Sequence, residues 1–195
     1  MPRHHYYFPS KIPYMEIDNF KIVTPLHKLI LRPHRDEDAP IMIELNSDPE
    51  VTAYTPDGPL PSLDVAKMII QSLRQQFIER QIGRFIVIDP KTNRAIGWCG
   101  LKWLEDRNEI DIGYRFVKSA WGRGIATEAA LSCLSYGFNQ LHFSTITASV
   151  LPTNIASVRV LEKIGMKQIG ILTEDGENYL QYKITDDDFY GKSKT

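Results

Sequence analysis

A mixed α/β domain built on a mostly antiparallel sheet is predicted by three observations. The first is a meander: strand-like runs at 84–88, 95–103 and 109–117 follow one another with only turn-type segments at 90–93 and 105–108 between them. The second is a change of rhythm after residue 117. A glycine turn there opens a long apolar-periodic segment ending near Leu141, and a buried strand-like run at 145–150 follows. The third is size, since 195 residues with 43% hydrophobic content suit a single domain with a full core. A meander joined to a βαβ-like C-terminal half makes a mixed sheet.

Residues 1–27 read as an N-terminal arm. Pro2, Pro9, Pro13 and Pro25, set among aromatics and charges, leave room for little beyond a short strand at 20–23. His4-His5 beside Tyr6-Tyr7-Phe8 raises a metal site or partner contact, but a loosely packed arm is the simpler expectation. Residues 28–190 form the domain and 191–195 a tail. The domain opens with a strand at 28–32 and a helix at 36–45. A longer helix follows at 63–80, where Ser62 is placed to cap and Val65, Ile69, Leu73 and Phe77 form an apolar stripe. After the meander and the 145–150 strand, Pro152-Thr153-Asn154 breaks the chain into a helix at 154–164, closed by Gly165. Strands at 167–172 and 178–184 finish the domain.

Composition narrows the class of molecule. Lys plus Arg (23) nearly balances Asp plus Glu (24), and the pI is about 6.5. Without a basic stripe, no nucleic acid is expected as ligand. Cys99 and Cys133 lie in apolar strand-like and helix-like contexts and are expected to be reduced packing residues, with no metal bound. A Cys133 nucleophile is the weaker reading, because its surroundings (LSCLSYGF) supply no base. No membrane is expected, since no apolar run approaches spanning length and the N-terminus lacks a signal-peptide core. Residence is expected to be cytoplasmic.

Chemistry concentrates in Trp121-Gly122-Arg123-Gly124-Ile125-Ala126-Thr127-Glu128-Ala129-Ala130. A strand, a glycine turn and a helix start together aim backbone N–H groups and a positive dipole end at one point, which suits a phosphorylated ligand. A Walker loop would need Gly-Lys-Ser/Thr where this chain has Gly124-Ile125-Ala126. A dinucleotide fingerprint would need glycine where Thr127 stands. An Arg/Gln-x-x-Gly-x-Gly/Ala pyrophosphate loop fits from its second position onward, and a purely structural turn is the competing reading.

A second motif, Asn154-x-x-Ser157-x-x-Val160-x-x-Lys163-x-Gly165-Met166, lies about thirty residues downstream. With Asp111-Ile112-Gly113-Tyr114, Ile96-Gly97-x-x-Gly100-Leu101 and Leu29-Ile30-Leu31-Arg32-Pro33, these segments make the chain resemble the GNAT acetyltransferases. The resemblance is closest to the branch of the ribosomal-protein N-terminal acetyltransferases and runs from about residue 29 to 189. It implies a GNAT fold: a mixed, mostly antiparallel sheet with helices on both faces and a splayed strand pair that receives acetyl-CoA. It further implies transfer of acetyl to a primary amine, of a protein N-terminus or a small molecule, by direct attack. The alternative is a catalytically silent acyl-CoA-binding sensor or interaction module. Oligomers are common on this scaffold, and a homodimer is expected.

Carried over residue by residue, the resemblance places the pantetheine arm along the backbone of Phe116 and Val117. It places the pyrophosphate on the N–H groups of Gly122, Arg123, Gly124, Ile125, Ala126 and Thr127, with charge from Arg123. Trp121 departs from the usual Gln or Arg, which a site made of backbone amides tolerates. Asn154 is expected to hydrogen-bond the pantetheine, whether or not it also caps its helix. Leu161 occupies the position of the family's common tyrosine acid, so Ser157 becomes the candidate proton donor for the departing thiolate. Strand alternation puts Glu109, Asp111, Gly113 and Arg115 on one face, and Ile110, Ile112, Tyr114 and Phe116 on the other. Asp111 is the candidate base and Glu109 the second, while an ion pair of Asp111 with Arg115 is the structural alternative. The family's acceptor cleft borders residues 48–63, where Glu50 and Asp57, with Asp64 just beyond, would favour a cationic acceptor.

Overall fold

The computed structural model describes residues 14–55, 58–174 and 176–191, so His4, His5 and Asp57 lie outside the described residues. The chain enters through a 3-10 turn, Tyr14–Asn19, followed by strands β1 (Ile22–Val23) and β2 (Ile30–Arg32). Helices α1 (Ala39–Ser47), α2 (Pro49–Thr52) and α3 (Leu63–Arg80) come next. Strands β3 (Arg84–Asp89), β4 (Arg94–Leu104) and β5 (Glu109–Phe116) form the meander. The second half comprises α4 (Ile125–Asn139), β6 (Thr145–Val150), α5 (Ile155–Lys163), β7 (Lys167–Glu174), β8 (Glu177–Thr185) and α6 (Asp186–Gly191).

Among the described residues, eight strands make one sheet in the order β1-β2-β3-β4-β5-β6-β8-β7. Every neighbouring pair is antiparallel except β5–β6, which is parallel. The alternation of β3 shows why both faces are covered. Phe85 and Val87 join the large core with Cys99, Leu101, Ala129 and Cys133, on the side of α4. Ile86 and Ile88 pack with Ile41 and Leu45 of α1 on the other side. A strand apolar on both faces is stable only between two such layers.

Ser62 caps α3 by accepting from the Val65 amide (3.3 Å). The buried line on that helix is Ala66, Ile70, Arg74 and Phe77, while Val65, Ile69 and Leu73 of the expected stripe are only partly buried. Arg74 explains the offset: its guanidinium donates to the His34 carbonyl (2.7 Å) and to Asp18 (3.0 Å), so a charged residue occupies an inward position. The described end of the arm is likewise packed firmly. Ile17 is fully buried, and the Phe20 ring lies 4.8 Å from that of Phe77 and 5.3 Å from those of Phe85 and Tyr136. The joint after it is fastened to α4. Glu128, buried in the first turns of that helix, accepts from the Leu26 amide (2.6 Å), the His27 amide (3.0 Å) and the His27 ring.

Candidate functional site

The parallel pair β5–β6 is joined at one position, Asp111 opposite Thr147. From there β5 continues to Phe116 bound only to β4, while β6 continues to Val150 bound only to β8. The sheet therefore opens into a gap between the carboxyl halves of two parallel strands. Tyr114 reaches across it from β5: its hydroxyl donates to the Ser157 carbonyl in the first turn of α5 (3.1 Å). Burial pushes the Tyr114 phenol well above its usual range, so it remains a donor.

The glycine loop closes one end of the gap. Beyond β5 the chain makes a 3-10 turn, Lys118–Ala120, with the Ala120 amide on the Val117 carbonyl (2.9 Å) and the Trp121 amide on that of Lys118 (3.0 Å). Gly122 (φ 71°) and Gly124 (φ 77°) then adopt left-handed backbone that a residue with a Cβ occupies only under strain. A Cβ at either would meet no described atom within 4 Å, so the space over the loop is open. Gly124 caps α4 and brings no side-chain acceptor, which leaves the first N–H groups of the helix free of intrahelical partners. Arg123 is exposed there, its guanidinium on the Ser119 carbonyl (3.3 Å). An exposed turn with free N–H groups and a guanidinium fits an anionic diphosphate. The other nominated cofactor residues are adjacent: Phe116 and Val117 lead into the turn, and Ile125, Ala126 and Thr127 start the helix.

Asn154 caps α5, its side-chain oxygen accepting from the Ser157 amide (3.1 Å). Among the described residues its side-chain amide nitrogen makes no hydrogen bond, so capping leaves a donor for a ligand. Because Tyr114 holds the Ser157 backbone, Asn154 and Ser157 stand at the wall of the gap opposite β5. The fold thus sets Asp111 at the start of the β5–β6 gap, Asn154 and Ser157 on the α5 turn tied to β5 by Tyr114, and the glycine loop directly after β5.

Asp111 sits where the gap begins, and its ion-pair partner is Arg84 of β3. The Arg84 guanidinium also donates to the Gly100 carbonyl (2.5 Å) and lies flat against Gly113, where a Cβ would come within 2.7–2.8 Å of it. Gly113 is therefore a recess for Arg84. Arg115, the partner considered for Asp111 in the structural alternative, donates to Asn46 of α1 (2.8 Å), and the guanidiniums of Arg84 and Arg115 lie at 5.5 Å from the Trp98 ring. Burial raises the Asp111 carboxyl above its ordinary value, and the charge of Arg84 holds part of that rise back. Glu109, two residues away on the same face, accepts from the Thr147 hydroxyl (3.3 Å).

Sequence reading missed Tyr114 as a bridge, Arg84 as the partner of Asp111, and Thr147. The one local signal was the glycine in Ile-Gly-Tyr, a side-chain-free position on a buried strand. Cys99 and Cys133 are buried with sulfurs 3.7 Å apart, and their contact together with burial pushes the Cys133 thiol up, away from a reactive thiolate. Among the described residues, no group of three or more His, Cys, Asp or Glu could hold a metal ion. No helix of the described residues is long and apolar enough to cross a membrane.

A family model described as the acetyltransferase (GNAT) domain matches residues 28–167. An uncharacterized N-acetyltransferase, p20, of Bacillus licheniformis is 34% identical over 148 residues, covering 75% of this chain and 83% of its own. The crystal structure of a GNAT-family acetyltransferase from Bacillus anthracis superposes with a TM-score of 0.73 at 25% identity, over 86% of this chain and 99% of that one. Mycobacterium smegmatis RimJ, solved in complex with CoA-disulfide, shares the fold with a TM-score of 0.72 at 22% identity, over 86% and 87% of the two chains.

Proposed function

Because this chain belongs to the GNAT acetyltransferase family, we propose that it transfers acetyl from acetyl-CoA to a primary amine by direct attack inside the β5–β6 gap. The observation that carries the reading is the single Asp111–Thr147 bridge, which leaves the ends of two parallel strands apart beside a glycine-turned helix start. Acetyl-CoA supplies the activated acyl carbon and the thiolate leaving group. The chain's own residues hold and orient it. Backbone N–H groups from Gly122 to Thr127 and the Arg123 charge take the pyrophosphate, while Phe116, Val117 and the Asn154 amide line the pantetheine. Asp111, its carboxyl raised by burial and oriented by Arg84, accepts the proton of the attacking amine through water, with Glu109 as the second candidate. The Ser157 hydroxyl hands a proton to the departing sulfur and takes one in turn from solvent water, so that no alkoxide is left behind.

The acceptor is proposed to be a cationic amine, of a protein N-terminus or a small molecule. A cavity of about 220 Å³ abuts Val117, with Leu45 and Val51 as apolar wall and Glu44 and Asp48 as carboxylates. Lys118 closes its rim through Glu50 (2.7 Å) and Asp48 (3.4 Å).

The test is thiol release from acetyl-CoA across peptides with free N-termini, polyamines, aminoglycosides and small amino compounds, beside direct CoA titration. Release with at least one amine, and weakened CoA binding by a folded Gly124→Val variant, are expected, because valine is strained at positive φ and fills the open space. CoA binding without release for any amine would favour the sensor reading. Unchanged affinity in the variant would move the cofactor away from this loop.

A further inference from the structure

Trp121 stands at the mouth of the glycine loop and is 46% exposed as a residue, although an indole is a side chain that folding usually covers. Its polar edge is nevertheless committed: the indole N–H donates to the carbonyl of Phe116, the last residue of β5, at 2.8 Å. The bond spans five residues and closes the 3-10 turn into a ring. Inside it, the Ala120 and Trp121 amides already bind the Val117 and Lys118 carbonyls. On the strand side the ring is fixed by the Val117 amide, which donates to the Ile96 carbonyl of β4 (3.0 Å). On the helix side it continues directly into Gly122. The backbone that must present N–H groups to an anion therefore leaves the sheet through a segment tied at both ends.

From this geometry we infer that Trp121 is a positioning residue for acyl-CoA. It orders the turn between β5 and α4 before the cofactor arrives, and its open ring face forms part of the rim the cofactor passes. The inference rests on the acetyl-CoA reading above. Two consequences follow. First, the loop N–H groups are held in place by a side chain rather than by the ligand, so little ordering entropy is lost on binding. Second, the indole N–H takes one of the two lone pairs of the Phe116 carbonyl, so that carbonyl is held in a fixed direction with one acceptor site left beside the gap. A residue that acted only as surface packing would have no effect on the ligand.

The discriminating variant is Trp121→Phe, which keeps an aromatic ring and removes the donor. Direct CoA titration is expected to show affinity falling about two- to tenfold, the loss of one hydrogen bond. The KM for acetyl-CoA should rise in proportion, by more than any change in kcat. A CoA-dependent change in tryptophan emission is expected in the wild type and should be lost in the variant, although Trp98 and Trp103 remain. An unaltered CoA affinity with a lowered melting temperature would make Trp121 purely structural and overturn the inference. An emission change that survives in Trp121→Phe would overturn the placement of its ring beside the cofactor. Failure of the wild type itself to bind CoA would instead remove the acetyltransferase reading.

Discussion

The hydroxyl of Tyr114 donates to the backbone carbonyl of Ser157 at 3.1 Å, and so ties β5 to the first turn of α5 across the place where the sheet parts. The parallel pair has little ladder of its own beyond Asp111 and Thr147. The width of the gap is therefore set by a side chain. Tyr114 can serve because its aromatic body is buried and burial keeps the phenol protonated. Removing the hydroxyl alone, as in Tyr114→Phe, should cost about 1 kcal/mol. For a domain of this size that is roughly 2–4 °C in melting temperature. Calorimetry checks it; an unchanged midpoint would mean that α5 is held by its apolar face.

Gly113 and Arg84 offer a test of the base. An alanine at 113 would push its Cβ into the Arg84 guanidinium, which cannot swing away without leaving the Gly100 carbonyl and Asp111. Arg84 lowers the Asp111 carboxyl against the rise caused by burial, so displacing it lets that carboxyl rise further. A base is active when deprotonated. The acidic limb of the pH–rate profile should therefore move to higher pH in Gly113→Ala and in Arg84→Met, and disappear in Asp111→Asn. If instead Glu109→Gln removes that limb and Asp111→Asn does not, the base is Glu109.

His34 predicts the pH dependence of stability. It is almost fully buried, and burial lowers its pKa from 6.5 to about 4. Between those values the unfolded chain binds a proton that the folded chain does not, so stability falls as pH drops from about 6.5 to about 4 and is level above. The span corresponds to about 3 kcal/mol at the acid end. Urea titrations from pH 7 to pH 4 on the wild type and His34→Asn, compared as slopes, check it. An equal acid slope in both would assign the loss to other groups.

Much of this organisation was legible because it is local. Ser62 and the apolar spacing fix α3, Pro152 ends β6, and the segment proposed for the cofactor, Phe116 to Thr127, is one continuous stretch whose glycines signal its turn. Contacts between distant residues were not legible. Arg84 and Asp111 are separated by the whole of β4, and no spacing rule selects Arg84 over Arg115. The α3 stripe was misplaced because Arg74 is buried through Asp18 and the His34 carbonyl, partners that hydrophobic periodicity does not register. Helix α6 escaped because its Asp186-Asp187-Asp188 start has no apolar period. Its first turn is instead set by Asp188, which accepts from the Thr185 hydroxyl (3.0 Å). The packing of Ile17 and Phe20 was hidden by the prolines around them, which predict irregular backbone but say nothing of burial.

Ser157 allows chemistry to be separated from structure. Its amide donates to Asn154 and its carbonyl accepts from Tyr114, so both structural links run through backbone. Ser157→Ala keeps them. Any effect of the substitution must then come from the hydroxyl. If that hydroxyl supplies the proton to the departing thiolate, single-turnover transfer should slow by about 10²–10⁴-fold. CoA affinity should change little and melting temperature hardly at all. Asn154→Ala provides the contrast. It removes the cap of α5, at a cost of about 1 kcal/mol, and also the amide nominated for the pantetheine, so stability and CoA affinity should fall together. The two variants are to be compared in single-turnover transfer to an accepted amine, CoA titration and thermal unfolding. A Ser157→Ala rate within a few-fold of wild type would remove the serine from the chemistry, and the thiolate, near its reference pKa of about 8.5, would then leave unassisted or with a proton from water.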